Sequence, residues 1–309
     1  MWVYIARRLL WLPVLLIATS LFTFTLLRFG PGDPVEVILG SRYDEAAAEQ
    51  IRSQLGLDKP FGVQYAVYMW GVVRGDFGES YRFRGRAVSE LLFPKMWVSF
   101  QVNAAALIVS LAIGLPLGFY IAHKQGTWQD PTVVTIALIL MSIPIMISIP
   151  FTLWGLCLKL QLVPCSGWGG FFDLRIITPA ITLGIPGVAG LARYMRASTL
   201  DVLGQDFIRT ANAKGLTAVS VDIRHVLKNA MIPIVTLLSF TLAGMFVTSF
   251  IVERILGIPG VGHFTIDSLF DRDYPIIMAV GILGSAAFVI ANLLADITYA
   301  FIDPRIRYQ

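Results

Sequence analysis

Arg209, Thr210, Ala211, Ala213, Lys214 and Gly215 crowd into one polar, basic stretch, Asp206-Phe-Ile-Arg-Thr-Ala-Asn-Ala-Lys-Gly215, which lies between two long apolar runs. What it offers is contact chemistry: cations, a hydroxyl, and alanines small enough for another protein's surface to approach the backbone. The pattern predicts a short helix over Leu203 to Lys214 ended by Gly215, since a left-handed terminator is costly for any residue with a Cβ. Thr217 then suits the cap of a second helix running through Ile223, Val226 and Leu227 toward the next apolar run. The whole loop, Arg193 to Asn229, reads as a helix-turn-helix elbow. Its Arg209, Lys214, Arg224 and Lys228 would serve equally for anionic lipid headgroups or a protein partner, whereas Ala211 and Ala213 favour the partner.

The other reactive side chains fit no catalytic or metal centre. His123, His225 and His263 fall outside or at the edges of the apolar runs, which leaves an intramembrane protease without its base or metal ligands. Cys157 and Cys165 are the only thiols, too few for a disulfide framework or a structural metal site, and both read as free. Asp296 is the main ionisable candidate for ion coupling in a secondary transporter, but its place near the end of the last run suits a structural role. No Gly-x-x-x-x-Gly-Lys-Ser/Thr loop is present to cradle a nucleotide phosphate, so ATP hydrolysis is not expected of this chain.

Those residues must be held by helices in lipid. The chain of 309 residues is 56% hydrophobic and 14% charged, with a mean hydropathy of +0.71, too little polar surface for a water-soluble globule. Apolar runs recur at Leu9 to Phe29, Ser99 to Ala122, Thr132 to Leu158, Ile176 to Ala192, Met231 to Val252 and Pro275 to Ile302, each near the ~20 residues a membrane helix needs. The expectation is an all-α integral membrane protein with six transmembrane helices. The first run follows Arg7 and Arg8 like a secretory signal, yet it is too long and lacks a small-residue cleavage site, so it reads as a retained span.

Charge sets the expected orientation. Arg7, Arg8, Lys124, the Arg193 to Lys228 cluster, Arg305 and Arg307 share one side when both termini are cytoplasmic. The long segment from Pro31 to Lys95, whose basic residues are offset by acids such as Asp33, Glu36, Asp44 and Glu45, then lies outside. Trp97, Trp128, Trp154 and Trp168 fall near span ends, where an indole keeps its body apolar and its N–H wet, though packing between helices would suit each equally well.

The outer segment reads as folded. Ser41 with Asp44 resembles a capping pair before Ala48, Ile51 and Leu55, and Gly56 supplies a stop. Pro60 suits the start of a second helix carrying Phe61, Tyr65, Met69 and Val72, ended at Gly75. Within the spans, Pro116, Pro144, Pro150, Pro179, Pro186 and Pro233 each remove a backbone donor, so bent helices are expected. Ala180, Gly184 and Gly187 form a small-residue stripe that admits a neighbouring helix. Asn103, Ser142, Ser148 and Thr248 are polar positions on otherwise apolar spans. They suit either a route lined for a dehydrated peptide backbone or helix-to-helix hydrogen bonds.

At this point the sequence resembles a known family. The loop is similar to the EAA motif of ABC importer permeases, Glu-Ala-Ala, three residues, Gly, nine residues, then Ile-x-Leu-Pro. Aligned on Gly215, the first positions are Arg209, Thr210 and Ala211, and the tail is His225, Val226, Leu227 and Lys228. Its departures are those of the dipeptide/oligopeptide/nickel subfamily, for here stand Arg209-Thr-Ala-Asn-Ala-Lys-Gly215 and Arg224-His-Val-Leu-Lys-Asn-Ala230. Pro31-Gly-Asp-Pro34, Leu55-Gly-Leu-Asp-Lys-Pro60 with Gln64-Tyr65, Gly75-Asp-Phe-Gly-Glu-Ser80, Asp273-Tyr-Pro275 and Asp303-Pro-Arg-Ile-Arg-Tyr308 resemble further marks of that subfamily. Arg86-Ala87-Val88 departs from its usual Arg-Pro-Val.

What the resemblance implies is the first, B-type membrane subunit of a binding-protein-dependent importer with the type I ABC importer transmembrane fold. Residues 1–30 would be an N-terminal transmembrane helix, 31–95 an external segment, 96–302 the transmembrane core with its coupling loop at 193–229, and 303–309 a cytoplasmic tail. Its implied place is the prokaryotic cytoplasmic membrane. Partners would be a homologous second permease subunit, two cytoplasmic ATPase subunits or domains, an external substrate-binding protein and the lipid bilayer, with no nucleic acid. No cofactor binds the chain directly, ATP and Mg being used by the ATPases. Asp206, Arg209, Thr210, Ala211, Ala213, Lys214 and Gly215 would carry the ATPase coupling. Short peptides lead as cargo, with glutathione-like peptides, nickel chelates and oligosaccharides as alternatives.

Overall fold

The computed structural model describes residues 2–29, 35, 39, 44–245 and 250–302, and for 2–12, 27–28, 239–240, 243, 292 and 294–302 the backbone alone. Among the described residues the architecture is helical, with no strand beyond a single bridge between Glu79 and Ala87. Three helices are long and apolar enough to cross a membrane: α4 (Val88–Ala122), α7 (Ile177–Leu203, with a preceding 3-10 turn from Leu174) and α13 (Tyr274–Ile302, of which Tyr274–Ala291 is described in full). A fourth span is broken. α5 (Gln129–Ser142) and α6 (Ile145–Thr152, continued by a π-helical turn over Leu153–Lys159) meet at 103°. The cause lies in Pro144, which lacks a donor and disfavours helical backbone at Ile143, held extended at ψ 118.

α4 and α7 form the rigid centre of the bundle. A Cβ at Gly114 would stand 2.9 Å from the Val188 carbonyl oxygen, and one at Gly118 would be driven into Ala192. The predicted stripe lies in this seam: Ala180 is buried with Ala105, Gly184 and Gly187 face Val109 and Ser110, and Ser110 Oγ reaches the Ala106 and Gly184 carbonyls at 2.8 and 3.0 Å. Backbones packed this closely gain dispersion contacts and cannot slide without severe overlap.

The segment after α1 (Trp2–Phe29) contains α2 (Glu45–Gln54) and α3 (Phe61–Val73). Asp44 caps α2 by accepting from the Ala47 N–H at 3.3 Å; Ser41, its expected companion, lies outside the described residues. Pro60 stands just before α3 as its cap. α3 lies on α1 through an aromatic cluster, Phe24 against Phe61, Tyr65 and Tyr68, reinforced by a 2.8 Å hydrogen bond between Ser20 and Tyr65. The Tyr68 hydroxyl is buried without a partner, and burial pushes its ionisation well above the ordinary tyrosine range.

α10 (Lys228–Gly244) is followed by α11 (Phe250–Leu256) and α12 (Val261–Phe270), and residues 246–249 of the expected Met231 to Val252 span lie outside the described residues. The α11–α12 turn is tied to α4 by a fully buried carboxylate. Glu253 accepts from Ser99 Oγ at 2.6 Å and from the His263 N–H at 3.1 Å, while Ser99 Oγ accepts from the Val261 N–H at 2.8 Å. A buried charge persists only where such donors replace water.

One expectation is overturned. Cys157 and Cys165 are bridged, with Cα atoms 5.3 Å apart, rather than free. The tight π-helical turn and a reversal at Gln161, whose φ is +50, bring together two thiols eight positions apart. Of the four tryptophans, Trp97, Trp128 and Trp154 are exposed, whereas Trp168 packs into the core beside Ile176 and Val252.

Candidate functional site: the elbow between α7 and α10

The elbow begins where α7 stops at Leu203. Gly204 and Gln205 make the break, and α8 (Asp206–Ala213) starts after the extended Gln205, three residues later than the predicted helix start at Leu203. Asp206 places an acid in the first turn of α8, where the unpaired N–H groups favour negative charge. Lys214 closes the helix and Gly215 follows at φ +78. Nothing lies within 4 Å of where a Gly215 Cβ would be, so its requirement is purely conformational. Thr217 caps α9 (Ala218–Val221), its hydroxyl accepting from the Ser220 N–H at 3.4 Å, and a π-helical turn over Asp222–Leu227 runs into α10.

α8 has two distinct faces. Ile208 and Ala211 are buried with Val221 and Val226 against Phe119, Val202 and Leu203, which seats the elbow on the ends of α4 and α7. Asp206, Phe207, Arg209, Thr210, Asn212, Ala213 and Lys214 are exposed. Arg209 reaches Asp206 at 3.4 Å, with both side chains largely in solvent, so this pair contributes little to stability. Ala211, read from sequence as admitting a partner, instead faces the protein's own core, buried in the cluster that the Phe119 side chain of α4 packs against. Ala213 keeps the open position that the sequence reading gave both alanines.

The elbow is also tied to the bundle by polar side-chain contacts. His123 Nε2 lies 3.0 Å from Asp222 Oδ1, and His123 Nδ1 lies 3.0 Å from the Phe119 carbonyl. One helix away, the Arg196 guanidinium grips Asp130 with two hydrogen bonds of 2.5 and 2.6 Å, joining α7 to the start of α5. Neither pair was recognised in the sequence. The partners are 99 and 66 positions apart, beyond any local spacing rule.

The polar span residues serve different ends. Asn103 Nδ2 donates to the Ser99 and Met245 carbonyls, both at 2.9 Å, which is a helix-to-helix bond between α4 and the end of α10. Ser142 bonds back to the Leu138 carbonyl at 2.8 Å and is exposed; Ser148 is half-buried on α6. Thr248 lies outside the described residues, as does the Asp296 side chain.

Residues 114–308 match the family of the binding-protein-dependent transport system inner membrane component, and residues 1–113 match its N-terminal family. The chain is 35% identical to a probable peptide ABC transporter permease protein, y4tP, of Sinorhizobium fredii, over 100% of both chains. It is likewise 35% identical to the dipeptide transport system permease protein DppB of Escherichia coli K12, over 99% of each. The glutathione transport system permease protein GsiC of Shigella flexneri is similar to the same degree, 35% over 99% of each chain. With both its parts matched and its relatives aligned end to end, the chain belongs to the binding-protein-dependent transport family, as an inner-membrane ABC permease component.

Proposed function

We propose that the chain forms half of the pathway by which an ATP-driven importer takes up short peptides, and that α8 is where cytoplasmic ATPases drive it. In this reading the chain crosses the membrane six times with both termini cytoplasmic and pairs with a homologous permease. An external binding protein delivers the cargo, and two ATPase subunits use ATP and Mg. The cargo reading rests on the similarity to peptide and dipeptide permeases. Glutathione, itself a short peptide, is the second reading, because a glutathione permease is equally similar.

The observation that carries the coupling role is the division of α8 between an anchored face and an open one. Ile208 and Ala211 hold the helix to α4 and α7, while Arg209, Thr210, Ala213 and Lys214 remain free to meet a partner. A helix seated this way transmits displacement, because its anchors move with the spans beneath it. ATP-driven closure of the ATPases would thus swing the helices around the cargo route between inward and outward access. The Cys157–Cys165 bridge supports the orientation. A disulfide persists in oxidising surroundings, and the reading places it on the face opposite the elbow, outside the cell.

Reconstitution tests this directly. The chain, its partner permease, the ATPases and the binding protein in proteoliposomes should accumulate labelled dialanine only with ATP, and excess glutathione should compete poorly. Failure of ATP to drive uptake would sink the importer reading. Strong competition by glutathione would favour the second cargo.

A further inference from the structure

α7 and α10 are joined to the elbow by the chain itself, but α4 meets it through noncovalent contacts. Two of these stand at the end of α4. The Phe119 side chain packs on the cluster of Ile208, Ala211, Val221 and Val226, and its ring lies 4.7 Å from that of His123. One turn on, His123 closes α4 as its C-cap and faces Asp222 in the elbow.

The His123 ring bridges the end of α4 and the elbow. The Phe119 carbonyl, one of the last in α4, can only accept, so His123 Nδ1 must donate to it. On the other side of the ring, Nε2 stands 3.0 Å from Asp222 Oδ1. Both side chains are about one-third exposed, 31% and 32%, so the pair adds little to folding stability. What it does fix is direction: with Phe119 as an apolar pivot, a second, directional contact stops the elbow from rotating on the end of α4.

We propose that His123 and Asp222 are positioning residues of the transport cycle, whose directional contact locks the elbow to α4 so that a push on α8 reaches α4 and α7 together. The close-packed seam at Gly114 and Gly118 then carries the two spans as one body. Without the lock, α8 still receives the push, but part of the displacement is lost as rotation about Phe119. This inference rests on the ATPase-driven reading above.

The test uses the complete importer in proteoliposomes, with ATP hydrolysis and dialanine uptake measured on the same preparation. His123→Ala and Asp222→Ala should each retain the ATPases and their hydrolysis while uptake per ATP falls by at least about fivefold, the low end for coupling between distant sites. The double variant should be no worse than either single one. His123→Arg restores a side-chain donor that can reach Asp222 from the helix end and should recover most of the uptake. Wild-type uptake per ATP in both single variants, losses that multiply in the double variant, or no recovery with arginine while the ATPases remain bound would each overturn the proposal. Should the wild-type complex itself fail to couple ATP to uptake, the importer reading falls, and this inference with it.

Discussion

The Ser80 hydroxyl donates to the buried Asp273 carboxylate, joining two residues 193 positions apart. Asp273 also accepts from the N–H groups of Tyr81 and Arg82, each at 3.2 Å, and Arg82 pairs with the neighbouring Asp271. Thus Gly75-Asp-Phe-Gly-Glu-Ser80 and Asp273-Tyr-Pro275, separate marks in the sequence, form one structural unit. It staples the segment before α4 to the corner between α12 and α13, where Phe77, Val88 and Leu92 pack with Val261, Phe264 and Ile276.

Replacing Asp273 by alanine would strand the Ser80 hydroxyl and the two N–H groups together. Each unsatisfied buried group costs about 1–3 kcal/mol, so Asp273→Ala, which strands three donors, should be less stable than Ser80→Ala, which removes one donor to Asp273 and strands only the Phe83 N–H. Thermal unfolding in detergent checks the order. Limited proteolysis should cut between 75 and 90 first in the Asp273 variant.

Gly215 provides a cleaner separation of cause. Its missing side chain meets nothing within 4 Å, so Gly215→Val acts through the +78° φ alone, at a cost of roughly 1–2 kcal/mol. Gly215→Asn tolerates the left-handed backbone and should keep most ATPase association and uptake, while the valine variant inserts normally but couples poorly. Equal behaviour of the two variants would show that the backbone conformation is not what matters.

Bridged cysteines make the topology testable from outside. In intact cells, a membrane-impermeant maleimide should label neither Cys157 nor Cys165 until an impermeant reductant is added. Cysteine placed at residue 212, in a Cys157→Ser/Cys165→Ser background, should stay unlabelled until the membrane is opened. Surface labelling at 212 would reverse the proposed orientation.

How far the sequence could be read depended on the range of the physics involved. The elbow was legible because Gly215, Thr217 and the run from Asp206 act locally: a terminator, a cap and a short helix between them. The α4–α7 seam was legible too, since Ala180, Gly184 and Gly187 announce close approach by size alone. The facing of Ala211 was not. Its role depends on Phe119 and Val226 arriving from other elements, and a small residue suits a partner's surface and a crowded core equally well. The disulfide escaped for a similar reason, since two thiols carry no pairing signal until the turn between them is folded. Asn103 could be read as route-lining or as bridging, and only the Met245 carbonyl 142 positions away identifies it as a bridge.

The central claim is that the open face of α8 meets the ATPases. Photo-crosslinking residues placed singly at 209, 210 and 213 in the assembled importer test it most directly, with one at 67, an exposed position on α3, as the control. The account predicts crosslinks to the ATPase from 209, 210 and 213 and none from 67. A complex that hydrolyses ATP and imports dialanine yet gives no ATPase crosslink from any of the three α8 positions would contradict it.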